Sequence, residues 1–219
     1  KASVEAALEI EAVCRDNGID ADFRRQGYLW GASCEAHGAS WDGVIDALIP
    51  HQINPFEVWD RDAIRERTCF SSLIGGAYDP SVTVVQPAKL ARGLRALALK
   101  RGVRIYEKSP LKRLERRRPP VVHTPRGKIT AERVVLAMNA WSLAIPELRS
   151  AVVIVGADMG ASAPMPERLA ELGWADGPAV VDSRAMSDFY RTTADGRIVL
   201  GKGGGSLNFG YAVRPFFNQ

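Results

Sequence analysis

The residues of this chain best placed for chemistry are Asn139-Ala140-Trp141-Ser142, which follow the apolar run Val134-Val135-Leu136-Ala137-Met138. Read as the carboxyl end of a buried strand, this turn lies where ligands of open α/β sheets bind, and its small residues let a phosphate or ribose approach the backbone. The same residues also read simply as a strand ending in a polar turn. Arg184 and Arg191 could pair with a substrate carboxylate or stay on the surface. Tyr78 and Tyr190 could line an apolar pocket or pack in a core.

Other chemistries find little support. Gly201-Lys202-Gly203-Gly204-Gly205 is neither G-x-x-x-x-G-K-[ST] nor G-x-G-x-x-G, and no amphipathic helix follows it. It reads as a flexible loop after a strand. No serine nucleophile elbow and no HExxH occur. His37, His51 and His123 are isolated, and Cys14, Cys34 and Cys69 form no CxxC pair. The cysteines read as free thiols of a reducing compartment. Cys34 and His37 lack a second ligand pair, so no metal site is expected.

The elements that must position these residues follow from period and punctuation. Ala2 to Cys14 has a helical stripe of Val4, Leu8 and Ala12, ending at Asn17-Gly18. Gly27 to Gly31, Phe56 to Trp59 and Ser72 to Tyr78 read as strands, Ser40 to Leu48 as a short helix capped by Ser40, and Asp60 as the cap of a brief helix through Arg65. Pro87 opens a helix with Leu90, Leu94 and Leu97 on one face, closed by Lys100, Arg101 and Gly102. Val103 to Tyr106 alternates with period two and predicts a strand. Val134 to Met138, apolar on both faces, predicts a strand inside a parallel sheet. Further strands are expected over Ala151 to Val155, Ala179 to Val181, Asp188 to Arg191 and Arg197 to Leu200, the last two joined by a turn at Ala194-Asp195-Gly196. A β-rich, largely antiparallel layer thus brackets an α/β segment. Val134 to Met138 has only one clear partner, Val103 to Tyr106, so the parallel part reads as incomplete.

The chain has 219 residues, 46% hydrophobic and 25% charged, with a formal net charge of +4. This composition suits a folded globular protein, not a disordered one. The apolar run Ala151 to Val155, which none exceeds in length, falls far short of the roughly 20 residues that span a bilayer, and no basic-then-apolar leader opens the chain. A soluble, cytoplasmic protein without membrane contact is expected. Lys112, Arg113, Arg116, Arg117 and Arg118 form a basic cluster with no interleaved aromatics, and Pro119-Pro120 follows directly. It reads as a solvated hairpin tip, and no nucleic-acid partner is expected.

Taken in order, several segments resemble the central part of the FAD-dependent D-amino acid oxidase family, which includes glycine, sarcosine and γ-glutamylputrescine oxidases. They are Pro87-Ala88-Lys89-Leu90, Arg101 to Glu107, Ser109-Pro110-Leu111, Thr124 to Ile129, Val134 to Ser142, Phe189-Tyr190-Arg191-Thr192 and Asp195 to Gly201. The resemblance implies an α/β (mixed α+β) fold: a partial FAD-binding Rossmann-like domain joined to a substrate domain with a mixed, largely antiparallel β-sheet. It places the substrate domain in residues 1–80 and 146–219, with a helix of the FAD domain at 1–18, and the partial FAD-binding domain in 81–145. The family's G-x-G-x-x-G unit and its C-terminal FAD segment are not found in the sequence, so the chain reads as a central fragment, inactive alone.

Carried over by position, Leu111 matches a residue whose backbone contacts the adenosine of FAD. Asn139, Ala140 and Trp141 match a small-residue turn near the cofactor, although Met138-Asn139 stands where many relatives have a small residue and glycine. Arg191, Tyr190 and Tyr78 are the substrate-side candidates. The implied activity is oxidation of a C–N bond in an amine or amino acid, with hydride transfer to the flavin and dioxygen or another acceptor completing the cycle. The alternative is a non-catalytic module, derived from the substrate domain, that binds a small molecule or a protein.

Overall fold

The stripe from Val4 to Val13 winds into helix α1 (Ala2–Asp16), closed by Asn17 Nδ2 donating to Val13 O at 2.8 Å and by Gly18 at φ 63°. The computed structural model describes residues 2–184 and 187–203. The chain divides into two units: one runs through Leu97 and resumes at Gly156, and the other is Ala98–Val155.

The first unit holds a seven-stranded mixed sheet. Its strands are β1 (Tyr28–Ala32), β2 (Glu57–Asp60), β3 (Gly75–Asp79), β7 (Asp158–Ala161), β8 (Ala179–Asp182), β9 (Asp188–Thr192) and β10 (Ile198–Lys202). The order is β2-β3-β1-β8-β9-β10-β7, with β1 and β8 parallel and every other pair antiparallel. Alternation gives the sheet two apolar faces. On one, Leu29, Trp59 and Val180 pack with Ile64 and Leu73. On the other, Ala32 and Ala77 pack with Trp41, flanked by Trp30, Ile45, Phe56 and Ile74.

Helix residues pack on both faces, Ile64 of α3 (Arg61–Arg67) on the first and Ile45 of α2 (Asp42–Leu48) on the second. Helix α2 (Asp42–Leu48) starts after Trp41, and Ser40 does not cap it; its hydroxyl donates to His37 O instead, at 2.7 Å. Helix α3 (Arg61–Arg67) is capped as expected by Asp60, whose Oδ1 accepts from Ala63 N at 2.8 Å, and it buries Ile64 completely. Helix α4 (Pro87–Lys100) is capped by Gln86, whose Oε1 accepts from Ala88 N and Lys89 N at 2.7 and 3.0 Å. Helix α5 (Pro166–Glu171) buries Leu169. The expected turn forms with Gly196 at φ 74° and Thr193 N donating to Arg197 O at 2.9 Å.

The second unit holds an antiparallel three-stranded sheet, β4 (Arg113–Glu115), β5 (Val121–Thr124) and β6 (Gly127–Thr130), in the order β4-β5-β6. Three strand expectations fail: Val103 to Tyr106 and Val134 to Met138 form no strand, and Ala151 to Val155 has only a single bridge residue, Val155. Val135 is 88% exposed, Val153 80% and Tyr106 65%. An apolar run becomes a strand only when a neighbour takes its backbone N–H and C=O groups, and no described segment does so here. The sequence pattern reports the need for a neighbour without supplying one. The mixed α/β architecture itself, with a mixed sheet, is as expected.

Candidate cofactor and substrate residues

In the second unit, Leu111 leads into β4 and lines a cavity of about 310 Å³ whose wall includes Lys112, Arg113 and Arg116 on one side and Ala144, Ile145 and Glu147 on the other. The second wall ends the helical turn Asn139–Ala144, which begins at the sharp bend after Met138. Asn139 stands at φ 48°, in the left-handed region. Outside glycine, asparagine is among the residues that tolerate this conformation best, so the bend asks for what a glycine would give. Asn139, Ala140 and Trp141 start this turn but do not line the cavity, and Trp141 is 66% exposed.

The cavity is cationic on its β4 side. Arg116 pairs with Glu147 at 3.1 Å. Arg113, Arg117 and His123 converge on Glu115, the last two at 3.3 and 2.8 Å. The hydrogen bond from His123, helped by the two guanidinium groups, holds the Glu115 carboxyl below the usual carboxylate range. Lys112 has no side-chain partner among the described residues and leaves its ammonium free beside the cavity. The volume is at the lower end of ligand pockets. A partly apolar cleft with a lysine on its wall has the chemistry to take a ring edge beside an anionic group.

In the first unit the substrate-side candidates separate. Tyr190 enters the core and meets the rings of Phe70 and Trp174 edge-on at 5.2 and 5.9 Å. Burial, with Asp182 nearby, pushes its hydroxyl up to about 12, so it stays protonated. Tyr78 stacks on Trp59 at 4.3 Å and crosses Gly27, where a Cβ would fall 2.4 Å from the tyrosine oxygen. Gly27 also sits at φ 68°, so only glycine satisfies both demands. Arg191, on the other face of β9, donates from Nη2 to Val85 O at 3.0 Å. Burial and the nearby Arg24 lower its pKa.

Arg184 is committed to structure: its Nε lies 3.0 Å from Asp182 Oδ2, and Nη1 and Nη2 reach Asp188 and Ser33 at 3.4 Å. Gly201 lies flat against Phe189 within β10, whereas Gly204 and Gly205 of the glycine cluster lie outside the described residues. Cys34 Sγ lies 3.4 Å from His37 Nδ1, and no group of three metal-ligating side chains occurs among the described residues. No helix among them is long and apolar enough to cross a membrane. The wall formed by Ala144 to Glu147 was missed by sequence reasoning, because Ala151 to Val155 drew the next element too far along the chain.

The family described as DAO, FAD dependent oxidoreductase, matches residues 1–215. Gamma-glutamylputrescine oxidoreductase of Escherichia coli (strain K12) is 31% identical over 187 residues, covering 84% of this chain and 44% of that protein. A probable oxidoreductase OrdL of Haemophilus influenzae is 24% identical over 151 residues, covering 66% of this chain and 35% of that protein. The chain therefore spans less than half the length of these curated relatives. Among solved structures, glycine oxidase from Geobacillus kaustophilus matches with a TM-score of 0.71 at 20% identity, over 91% of this chain and 53% of that one. L-proline dehydrogenase from P. horikoshii matches with a TM-score of 0.76 at 17% identity, over 98% and 57%. At such identities the likeness shows the fold.

Proposed function

Because the chain belongs to the FAD dependent oxidoreductase family, we propose that the whole protein oxidises a C–N bond of a small amine or amino acid, with FAD as its cofactor. The observation that carries this reading is the family match across residues 1–215, and the Leu111 cavity supports it locally. When bound, the flavin would supply the two-electron oxidation by accepting a hydride from the carbon next to nitrogen, and dioxygen or another acceptor would reoxidise it.

The residues of this chain supply binding and orientation. Leu111 would hold the adenosine edge through its backbone, with Lys112 offering a counter-charge to an anionic group. Asn139, Ala140 and Trp141 would let the cofactor approach the bend after Met138. Arg191 would face a substrate carboxylate if its hydrogen bond to Val85 O opens; Tyr78 and Tyr190 shape the sheet that carries it. In this reading residues 81–145 serve the cofactor, and 1–80 with 146–219 serve the substrate. The remaining cofactor contacts would lie in other parts of a longer protein, and this stretch alone is expected to be inactive; that the match spans 44% of gamma-glutamylputrescine oxidoreductase supports this. Three free cysteines, one of them the exposed Cys34, suit a cytoplasmic setting.

The test is the visible spectrum of the full-length protein. It should be yellow as purified and bleach under anaerobic conditions with an amine or amino acid. A colourless protein that takes up no added FAD would overturn the reading. Ala144→Trp and Leu111→Trp fill the cavity and should weaken FAD retention at least about tenfold, roughly 1.4 kcal/mol. Normal FAD retention in both folded variants would remove the cavity from the cofactor site and leave the family reading intact.

A further inference from the structure

The three cysteines sit in different surroundings: Cys14 is buried, Cys69 half-buried and Cys34 exposed. Burial pushes the Cys69 thiol up and so keeps it protonated. Among the described residues only Cys34 has an imidazole beside it, with Sγ 3.4 Å from His37 Nδ1. Two donors without a third make no metal site. A thiol next to a base is instead the arrangement of a nucleophile.

The path of the chain builds this pair. Cys34 holds the cap position of a single tight helical turn, Glu35–His37, and His37 N donates back to Cys34 O at 3.0 Å. In such a turn the side chains at i and i+3 lie one above the other, so thiol and imidazole face each other. Both ends of the segment are anchored. Ala32, which ends β1, is fully buried and its O accepts from Ile74 N at 2.8 Å, while the buried Trp41 packs with Ala32 and Ala77. Ser40 closes on His37 O twice, donating from N at 3.1 Å and from Oγ at 2.7 Å. An exposed thiol is thus held against its base by a hydrogen-bonded turn between two core residues.

Arg184 reaches the neighbouring Ser33 Oγ at 3.4 Å but is already paired with Asp182 and Asp188, so the imidazole is the group that serves the thiol. We propose that Cys34 is a site of reversible thiolation by a small disulfide, with His37 carrying the proton. As the sulfur attacks, Nδ1 takes the thiol proton. A new S–S bond forms to one sulfur of the disulfide, the old S–S bond breaks, and the leaving thiolate takes the proton back from the imidazolium. The Cys34 thiol and a disulfide R–S–S–R therefore give the mixed disulfide at Cys34 and R–SH, and the disulfide is the only oxidant consumed. Exchange of this kind depends on ionising the attacking thiol and on stabilising the leaving one, and a base that takes the proton and returns it serves both steps.

Incubating the full-length protein with oxidised glutathione and mapping the adduct by peptide mass spectrometry tests this. Among Cys14, Cys34 and Cys69, Cys34 should be modified at least about tenfold faster than the other two, and dithiothreitol should release the adduct. No adduct at Cys34, or faster modification of Cys14 or Cys69, would overturn the proposal. His37→Gln keeps a polar side chain and removes the base. It should slow modification of Cys34 at least about tenfold near pH 7 and lose that deficit near pH 10, where a thiol ionises unaided. An unchanged rate near pH 7 would remove His37 from the reaction, and a deficit of the same size near pH 10 would reduce its role to holding the turn; either result sinks the assignment. If that variant does not fold, His37→Asn carries the same two expectations.

Discussion

At φ 48°, Asn139 holds a backbone conformation that costs an ordinary side chain about 1–2 kcal/mol. Its short amide relieves part of that cost, which explains how a bend that suits glycine accepts asparagine. Asn139→Gly should therefore change stability by less than about 0.5 kcal/mol, while Asn139→Val should lose about 1–2 kcal/mol, read from urea denaturation midpoints. Equal stability of the two variants would show that the bend relaxes out of the left-handed region. The neighbouring candidates illustrate how much a sequence can say about single residues. Tyr190 and Arg191 are adjacent on β9, so alternation sends them to opposite faces: one meets Phe70 and Trp174, the other Val85 O. The alternation is legible in the sequence. Which face is covered depends on residues about twenty to over a hundred positions away, and that is not.

Among the elements, those defined by local signals are the ones that sequence reading locates well. Helix α3 is an example, since Asp60 supplies the cap and Ile64 the buried anchor, within one turn of each other. Asp60→Ala should cost about 1 kcal/mol, within the range of about 0.5–2 for lost caps, and Asp60→Asn should recover most of it. Thermal or urea unfolding measures both, and an Ala variant as stable as the parent would rule out a stabilising cap. Strand β7 shows the opposite case. Asp158-Met159-Gly160-Ala161 is exposed along its whole length and is a strand only because β10 pairs with it, so no periodicity announces it. Val103 to Tyr106 and Val134 to Met138 fail in the other direction, with strong local patterns and no described partner. A pattern of apolar residues measures what a segment would bury, and the strand itself depends on the neighbour.

Across the whole molecule, stability is unevenly distributed. Nearly all the buried apolar side chains, including Leu29, Trp41, Trp59, Ile64, Leu73, Leu169, Trp174 and Val180, belong to the unit with the seven-stranded sheet. Between Ala98 and Val155 only Val121 and Ile145 are buried hydrophobics. Charge sharpens the contrast, because that stretch carries thirteen Lys and Arg against four Asp and Glu, a net +9 in a chain whose total is +4. Few buried contacts and like-charge repulsion both lower the free energy of local opening. In the 219-residue chain, amides of β4, β5 and β6 should therefore exchange with deuterium at least about tenfold faster than those of β1, β3 and β8. Raising the salt from about 0.01 to 0.15 M shortens the Debye length from about 30 to 8 Å, so it should slow exchange in the three-stranded sheet more than in the larger one. Uniform protection across both sheets would mean that the smaller unit draws its stability from contacts other than its own core. Faster exchange at higher salt would show instead that ion pairs such as Arg116–Glu147 outweigh the repulsion.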